Sequence, residues 1–394
     1  MKRRINLILS YCQIPLLWIS YYFYKAIQLN SKNQKEINWI IGVDEIAGCI
    51  HLLKNTFSSS ENVCLGINRS YKYTYNYSIN IDNKYISFLW RFIYGPLLLG
   101  YLINRNSHFL YIWNTGFLLN RDFEFKFLKS KNKKIVCMFV GDDIRSLKLT
   151  SEYTKRRNID YHISYTQNEY SENFILNDLI VKKTAISADK YADLIFSFKL
   201  DQISYIKNKQ FPWAYMYPKE KFFKDNNKFN SNNIIKIVHA PSNPLVKGTP
   251  LVRAAIKKLE LEGYIFEYVE LKNMSNEIVL NHLRTSHIVL NQFYGYDISL
   301  GLLAIEGMAN HNALLMSYDP DAIKYYNLNL EGFDSCLLNT KYWEVYDNLK
   351  YLLNNHDKIK YYADKGYAFT YKHYTYESAS EYMNNILKEN GVID

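Results

Sequence analysis

Two periods alternate along most of this chain. Short apolar runs that read as buried strands are followed by turns. Stretches then follow whose apolar positions recur three and four residues apart, as one face of a helix requires. The alternation is cleanest from Ile234 to Met316. Ile234–Ser242 (IIKIVHAPS) predicts a buried strand ending in a turn, and Lys247-Gly248-Thr249 leads into a helix over Pro250–Gly263 that stops at its glycine. A strand over Tyr264–Leu271, a second helix beginning near Ser275 and a third strand over His287–Gln292 come next. Ser299–Met316 (SLGLLAIEGMANHNALLM) predicts a helix from Gly301 to about Asn310 and then another strand. This rhythm implies an α/β fold, a parallel sheet with helices on both faces.

The residues before Ile234 repeat the alternation less regularly. Ile37–Gly42 reads as a strand and Asp44–Thr56 as a helix, so the turn Gly42-Val43-Asp44 is expected to bring a helix N-terminus to a sheet edge. Tyr71–Asp82 is polar and aromatic, a loop or short strands. Ile86–Ile103 is the most apolar helix candidate; Arg91 and Gly95-Pro96 inside it favour a core helix kinked at Pro96 over a membrane span. His108–Trp113 predicts a strand, Asp122–Ser130 a helix, and Thr184–Ser197 a helix running into a short strand. Lys133–Arg145 holds a buried strand ending in Gly141-Asp142-Asp143-Ile144-Arg145. Phe211–Pro218 reads as an ordered crossing, and the Asn-rich Lys219–Asn233 places a domain boundary near residue 230. Tyr342–Asn354, Asp357–Tyr371 and Tyr376–Lys388 predict the final helices.

Met1–Asn30 opens with Lys2-Arg3-Arg4, as a signal peptide would, but Asn6, Gln13 and Pro15 interrupt its apolar run and no small-residue cleavage site follows. A spanning helix needs about 20 largely apolar residues, and this segment falls short. Two readings stand: a first strand and helix of the fold, or an interfacial segment with Trp18 and the tyrosines at headgroup level.

A length of 394 residues suits two domains, residues 1–230 and 231–394, and 48% hydrophobic with 22% charged residues describes an ordinary globular chain. The cysteines, Cys12, Cys49, Cys64, Cys137 and Cys336, have no metal-ligand spacing and fit reduced thiols in a cytosolic protein. Charge is divided unevenly: residues 1–230 carry 33 Lys+Arg against 19 Asp+Glu, and residues 231–394 carry 15 against 19. A +14 half beside a −4 half suggests that the first faces something anionic. The absence of G-x-G-x-x-G argues against a dinucleotide cofactor, and no nucleic-acid-binding motif is evident.

In open parallel sheets ligands bind beyond the carboxyl ends of the strands, where helix N-termini offer unpaired N–H groups. Lys247 follows one predicted strand and the Ser299-Leu300-Gly301 turn follows another, so both are placed to hold phosphate. The segments HAPSNPLVKGT and NQFYGYDISLGLLAIEGMA, in this order, resemble the donor-binding half of retaining GT-B glycosyltransferases of the family 4 (group 1) type. These enzymes use a nucleotide-sugar and in many cases build bacterial surface polysaccharide. The resemblance implies two Rossmann-like domains facing across a cleft, closed by a C-terminal helix that crosses back onto the first. It gives Lys247, with Gly248, contact with the donor diphosphate, and gives Glu306 of the EGMA segment the nucleotide ribose. Gly301 would let a helix N-terminus approach the phosphates. The departures are Ile298, beside Asp297, where the family has a glutamate; Ser242 where it has an arginine; and His311 where it has a glycine.

The Gly141–Arg145 turn is similar to a Gly-Ser-Asp-x-Arg turn of surface-polysaccharide glycosyltransferases, with Asp142 in place of the serine. Asp143 could take a proton from an acceptor hydroxyl or orient Arg145, and an Asp–Arg turn contact is the plainer alternative. Asp193 matches an aspartate that precedes a strand near the end of the family's first domain. Asp319-Pro320-Asp321 presents a D-x-D whose proline favours a turn over a metal site.

The function implied is transfer of a sugar from a nucleotide-sugar to a glycan acceptor, lipid-linked, in capsule, O-antigen or lipooligosaccharide synthesis. Retention, no cofactor and no metal are implied with it. A nucleotide-sugar epimerase, a polyol-phosphate transferase and a degenerate, non-catalytic binding protein are the alternatives. Lys155-Arg156-Arg157 and the basic first half suggest reversible, electrostatic association with the anionic inner face of the plasma membrane.

Overall fold

The computed structural model describes residues 2–28, 39–57, 59–66, 73–79, 81, 83–156, 172–199, 201–230, 233–293, 300–318 and 331–394. Two compact units emerge. The first comprises Met1–Ser146, Leu176–Trp213 and Asn384–Asp394; the second comprises Leu147–Ile175 and Ala214–Met383. The chain thus passes from the first to the second at Trp213, ahead of the polar Lys219–Asn233 stretch, and its last eleven residues return to the first.

The first unit opens with α1 (Lys2–Gln28), followed by β1 (Trp39–Val43), α2 (Cys49–Lys54), β2 (Ser60–Cys64), β3 (Tyr77–Ser78), α3 (Lys84–Arg105), β4 (His108–Ile112), α4 (Arg121–Ser130) and β5 (Lys134–Met138). After α5 (Leu147–Arg156), assigned to the second unit, come α6 (Glu172–Tyr191) and β6 (Leu194–Phe196). Every strand pairing is parallel, in the order β3-β2-β1-β4-β5-β6. Strand order reverses between β1 and β4, where such sheets bind ligands at the carboxyl ends of the strands. Apolar residues from both sheet faces and from α1 and α3 form one core, with Phe109, Phe125, Phe139 and Leu99 fully buried.

Two expectations change here. Among the described residues Lys2–Gln28 supplies no strand: α1 is one helix through Pro15. Its polar residues are used against α3, Gln13 Nε2 donating to Phe92 O (2.9 Å) and Ser20 Oγ to Leu97 O (2.6 Å). The helix expected over Asp44–Thr56 is only Cys49–Lys54. Gly42 and Val43 are still in β1; the chain then turns through Ala47 (φ 53) and Gly48 (φ 80), and the Glu45 carboxylate accepts from Ile50 N and His51 N. That helix N-terminus is satisfied internally.

In the second unit β7 (Lys236–His239), α7 (Thr249–Leu261), β8 (Glu267–Glu270), α8 (Asn276–Thr285), β9 (Ile288–Leu290), α9 (Leu302–Ala309), β10 (Ala313–Met316), α10 (Phe333–Cys336) and β11 (Leu338–Asn339) follow in sequence. The helices α11 (Val345–Asn354), α12 (His356–Tyr374) and α13 (Tyr376–Glu389) complete the chain. This sheet is also parallel, ordered β11-β10-β9-β7-β8, and it reverses between β7 and β9. The fold is therefore two Rossmann-like α/β units. Lys228, itself buried, ties the entry of the second unit to its sheet by donating to Ser286 O (2.7 Å) and Asn310 O (3.0 Å).

Candidate donor site

The reversal between β7 and β9 brings together two loops distant in sequence. After β7 the chain turns tightly: Asn243 Oδ1 accepts from Leu245 N and Val246 N, and Lys247 N donates to Asn243 O (3.0 Å). Gly248 then takes a left-handed φ of 77°, which its missing side chain permits, and caps α7. Lys247 Nζ donates to Gln292 Oε1, two residues beyond β9. The ammonium is thereby held across the strand ends at the topological switch point. Beneath it His239 is fully buried, and burial holds its pKa down. Its Nδ1 lies 2.8 Å from Leu290 O, which can only accept, so Nδ1 carries the proton and Nε2 accepts from Thr249 Oγ1 (2.8 Å). One neutral imidazole thus fastens β7, β9 and the first turn of α7.

Gly301 caps α9 with an extended backbone (φ −61°), and a Cβ placed on it meets no atom of the described residues within 4 Å. Leu300 beside it is buried. Ser299 lies outside the described residues, as do Asp297 and Ile298 and the whole of Asp319-Pro320-Asp321. Glu306, one turn into α9, is 4% exposed and accepts from Asn276 Nδ2 (2.7 Å) at the start of α8. Burial raises its pKa to about 7. Near it Tyr217 OH is buried without a hydrogen-bond partner among the described residues. The carboxyl ends of β7, β8 and β9 therefore lead into Lys247, Asn276, Gln292 and the N-terminal turns of α9. Asn276 and Gln292 were not singled out by sequence. Their position, at the end of a predicted strand for Gln292 and directly after a predicted cap for Asn276, is the only signal they carry.

His311 explains one departure. Its backbone is left-handed (φ 61°), the conformation a glycine would take without strain. The imidazole is held by Asp225 O (2.9 Å) on Nδ1 and Asp364 Oδ1 (2.9 Å) on Nε2.

In the first unit Asp143 is fully buried at the turn after β5. Its carboxylate accepts from Val140 N (3.0 Å), Gly141 N (3.1 Å), Ile144 N (3.1 Å) and Gln202 Nε2 (3.2 Å). Burial lifts its pKa to about 6 against those donors. Arg145 pairs with Asp142 and with both oxygens of Asp201 (2.9 and 3.0 Å). The arrangement is a braced turn. Asp193 likewise braces the start of β5, accepting from Ile135 N (2.8 Å) and Lys129 Nζ (2.9 Å). At the switch point of this sheet Asp44 meets Arg91 (3.1 Å) and Thr115 Oγ1 (2.5 Å), with Arg91 also donating to Gly116 O (3.0 Å). Gly42, inside β1, leaves room for the Val63 backbone, whose oxygen would lie 2.9 Å from a Cβ. Arg91 and Thr115 were not anticipated as partners of Asp44.

Among the described residues no group of three or more His, Cys, Asp or Glu is placed to hold a metal ion. All five cysteines are free, and four of them are buried.

No family model matches the sequence, and no curated protein matches it. Solved structures do match over nearly the whole chain. A sucrose-phosphate synthase from Thermosynechococcus elongatus aligns with a TM-score of 0.57 at 10% identity, covering 90% of this chain and 99% of that one. Anabaena HepE in complex with UDP-glucose aligns at 0.52 and 9% identity, covering 90% and 100%. A glycosyltransferase from Rickettsia africae aligns at 0.51 and 11% identity, covering 91% and 99%. These likenesses establish the fold, the GT-B arrangement of two Rossmann-like units.

Proposed function

We propose that the protein transfers a sugar from a nucleotide-sugar donor, with the donor held at the carboxyl end of the second sheet. The observation that carries this reading is the Lys247–Gln292 pair at the β7/β9 switch point, in the same unit as the Gly301 N-cap of α9. Lys247 would neutralise the diphosphate as it leaves, which is the main electrostatic demand of such a transfer. The α9 N–H groups at Gly301 would add partial positive charge. Glu306 would accept from the ribose hydroxyls. The structural neighbour HepE is described with UDP-glucose, which makes uridine nucleotides the first donors to try.

The finer reading follows the resemblance in sequence: a retaining, metal-independent hexosyl transfer. Its acceptor is a lipid-linked glycan of capsule, O-antigen or lipooligosaccharide, met in the cytoplasm at the inner face of the plasma membrane. Asp143 and Arg145 would act in this scheme by holding the turn after β5 rather than through an exposed carboxylate.

Titration calorimetry with a panel of nucleoside diphosphates tests the site. The wild type should bind at least one, and Lys247→Ala should weaken it by ten- to a hundredfold, since a charged contact to phosphate contributes about 1.5–3 kcal/mol. Equal affinity in a folded Lys247→Ala protein would remove the site from Lys247. Product analysis with the donor so identified separates transfer from epimerisation.

A further inference from the structure

We propose that a groove of the first unit, between the start of α4 and the middle and later turns of α6, binds a hydroxylated phosphate ester of about the size of a hexose phosphate. The groove lies in the first unit and the donor site in the second, and the inference does not depend on the transfer reaction.

The cavity has a volume of about 410 Å³, within the range of small-molecule sites. Ser187 of α6 lines it and is 3% exposed, so it forms part of the floor. Its Oγ has no hydrogen-bond partner among the described residues. Buried polar atoms are nearly always paired, and an orphan hydroxyl in the wall of a cavity marks a place for a polar atom that the chain does not supply.

The other donors around the cavity suit an anion. Asn120 and Asp122, at the start of α4, line it. Asn120 Oδ1 accepts from Phe123 N (3.2 Å) and Asn120 O from Glu124 N (3.0 Å). The Arg121 and Asp122 N–H groups before them have no partner among the described residues, and they stand at the positive end of the α4 dipole. Across the groove are Lys183, whose ammonium has no ion pair among the described residues, and Lys182, which lies 5.0 Å over the Tyr205 ring. Two lysines, two free N–H groups and a hydroxyl converge as a phosphate requires.

The remaining lining residues narrow the ligand further. The Asp122 carboxylate can only accept, so it suits a hydroxyl of the ligand and disfavours a bare anion. Its charge is partly offset by Lys190, one turn beyond Ile186 and near enough for the two to interact. Leu179 (40% exposed) and Ile186 (48% exposed) offer an apolar wall to the face of a ring. A lone phosphate would leave the apolar wall and the carboxylate unused; a phosphorylated sugar engages all three.

Titration calorimetry of the full chain tests this, with glucose phosphorylated at its first or its sixth carbon, inorganic phosphate and free glucose as probes. The wild type should bind at least one of the esters more tightly than inorganic phosphate. Lys183→Ala, a change at an exposed position, should weaken that binding roughly tenfold, as loss of one charged hydrogen bond does. Ser187→Ala should also weaken it while leaving the thermal midpoint unchanged or raised, because it removes a buried hydroxyl that no protein group satisfies. Asp122→Ala should narrow the preference for the ester over inorganic phosphate. Equal ester affinity in wild type, Lys183→Ala and Ser187→Ala overturns the proposal, as does inorganic phosphate binding as tightly as either ester, or no binding by the wild type. Ester binding that is lost in Lys247→Ala and kept in Lys183→Ala would belong to the donor site, and overturns it too. Nucleoside diphosphate titrations of Lys183→Ala report separately on the donor site, so failure of one reading is distinguishable from failure of the other.

Discussion

Glu306 is the residue whose environment most constrains what it can do. A carboxyl in the interior is pushed toward its neutral form, and Asn276 offsets that only in part, leaving a pKa of about 7. The sign matters. Because the folded value lies above the ordinary 4.5, the contribution of this group to stability is present at low pH and is lost as pH rises through about 7. Binding runs the other way, since a carboxylate accepts from two ribose hydroxyls and a protonated acid has one acceptor fewer. Nucleoside diphosphate affinity should therefore rise between about pH 6 and pH 8 in the wild type by more than it does in Glu306→Gln. Calorimetry of both proteins across that range subtracts the titration of the phosphate itself. Parallel profiles would make Glu306 a structural helix residue. The glutamine variant should also lose less affinity overall than Lys247→Ala, because it retains an acceptor at the same place.

At the scale of elements, α3 shows what periodicity conveys and what it does not. Its apolar run predicts a helix, and Asn83 caps it by accepting from Tyr85 N and Ile86 N, yet nothing in the run separates the exposed half from the core half. In α1, Gln13, one of the residues that interrupt the apolar run, is the one that joins the helix to α3. Lys247 and Glu306 were legible because they stand in a recognisable order along the chain. Gln292 and Asn276 were not, because their roles depend on the strand order β8-β7-β9, which puts residue 292 beside residue 247. The α1–α3 contact is close enough to test directly. A Cβ on Gly100 would fall 2.7 Å from the Ser20 Cβ and from the Tyr21 backbone nitrogen. Gly100→Ala gains about 1 kcal/mol in helix propensity. Forcing the helices apart should cost more than that, for a net loss of about 1–2 kcal/mol. A denaturation midpoint equal to or above wild type would show that α1 moves away without cost.

On the scale of the whole molecule, each unit is compact but drawn from separate stretches of sequence, and the last residues of the chain carry that fact. Val392, 3% exposed, packs within the first unit, and its carbonyl faces His108 Nε2 at 2.8 Å. A carbonyl only accepts, so Nε2 carries the proton and Nδ1 accepts from Ser107 Oγ (2.8 Å). Lys134 Nζ donates to Gly391 O (3.1 Å) beside it. Deleting residues 391–394 strands the buried His108 donor, a loss of about 1–3 kcal/mol, and removes the burial of one valine, about 1.5 kcal/mol or more. The first unit should lose about 2.5–4.5 kcal/mol, a large part of what a typical fold has in reserve. Tryptophan fluorescence reads this selectively. Trp18, Trp39, Trp90, Trp113 and Trp213 belong to the first unit and only Trp343 to the second, and Trp39 lies 4.6 Å from the His108 ring. The deleted residues belong to the first unit and the donor site to the second, so nucleotide affinity should be unchanged while the fluorescence-detected midpoint falls. A midpoint that stays in place would mean that residues 391–394 are an ornament of the first unit.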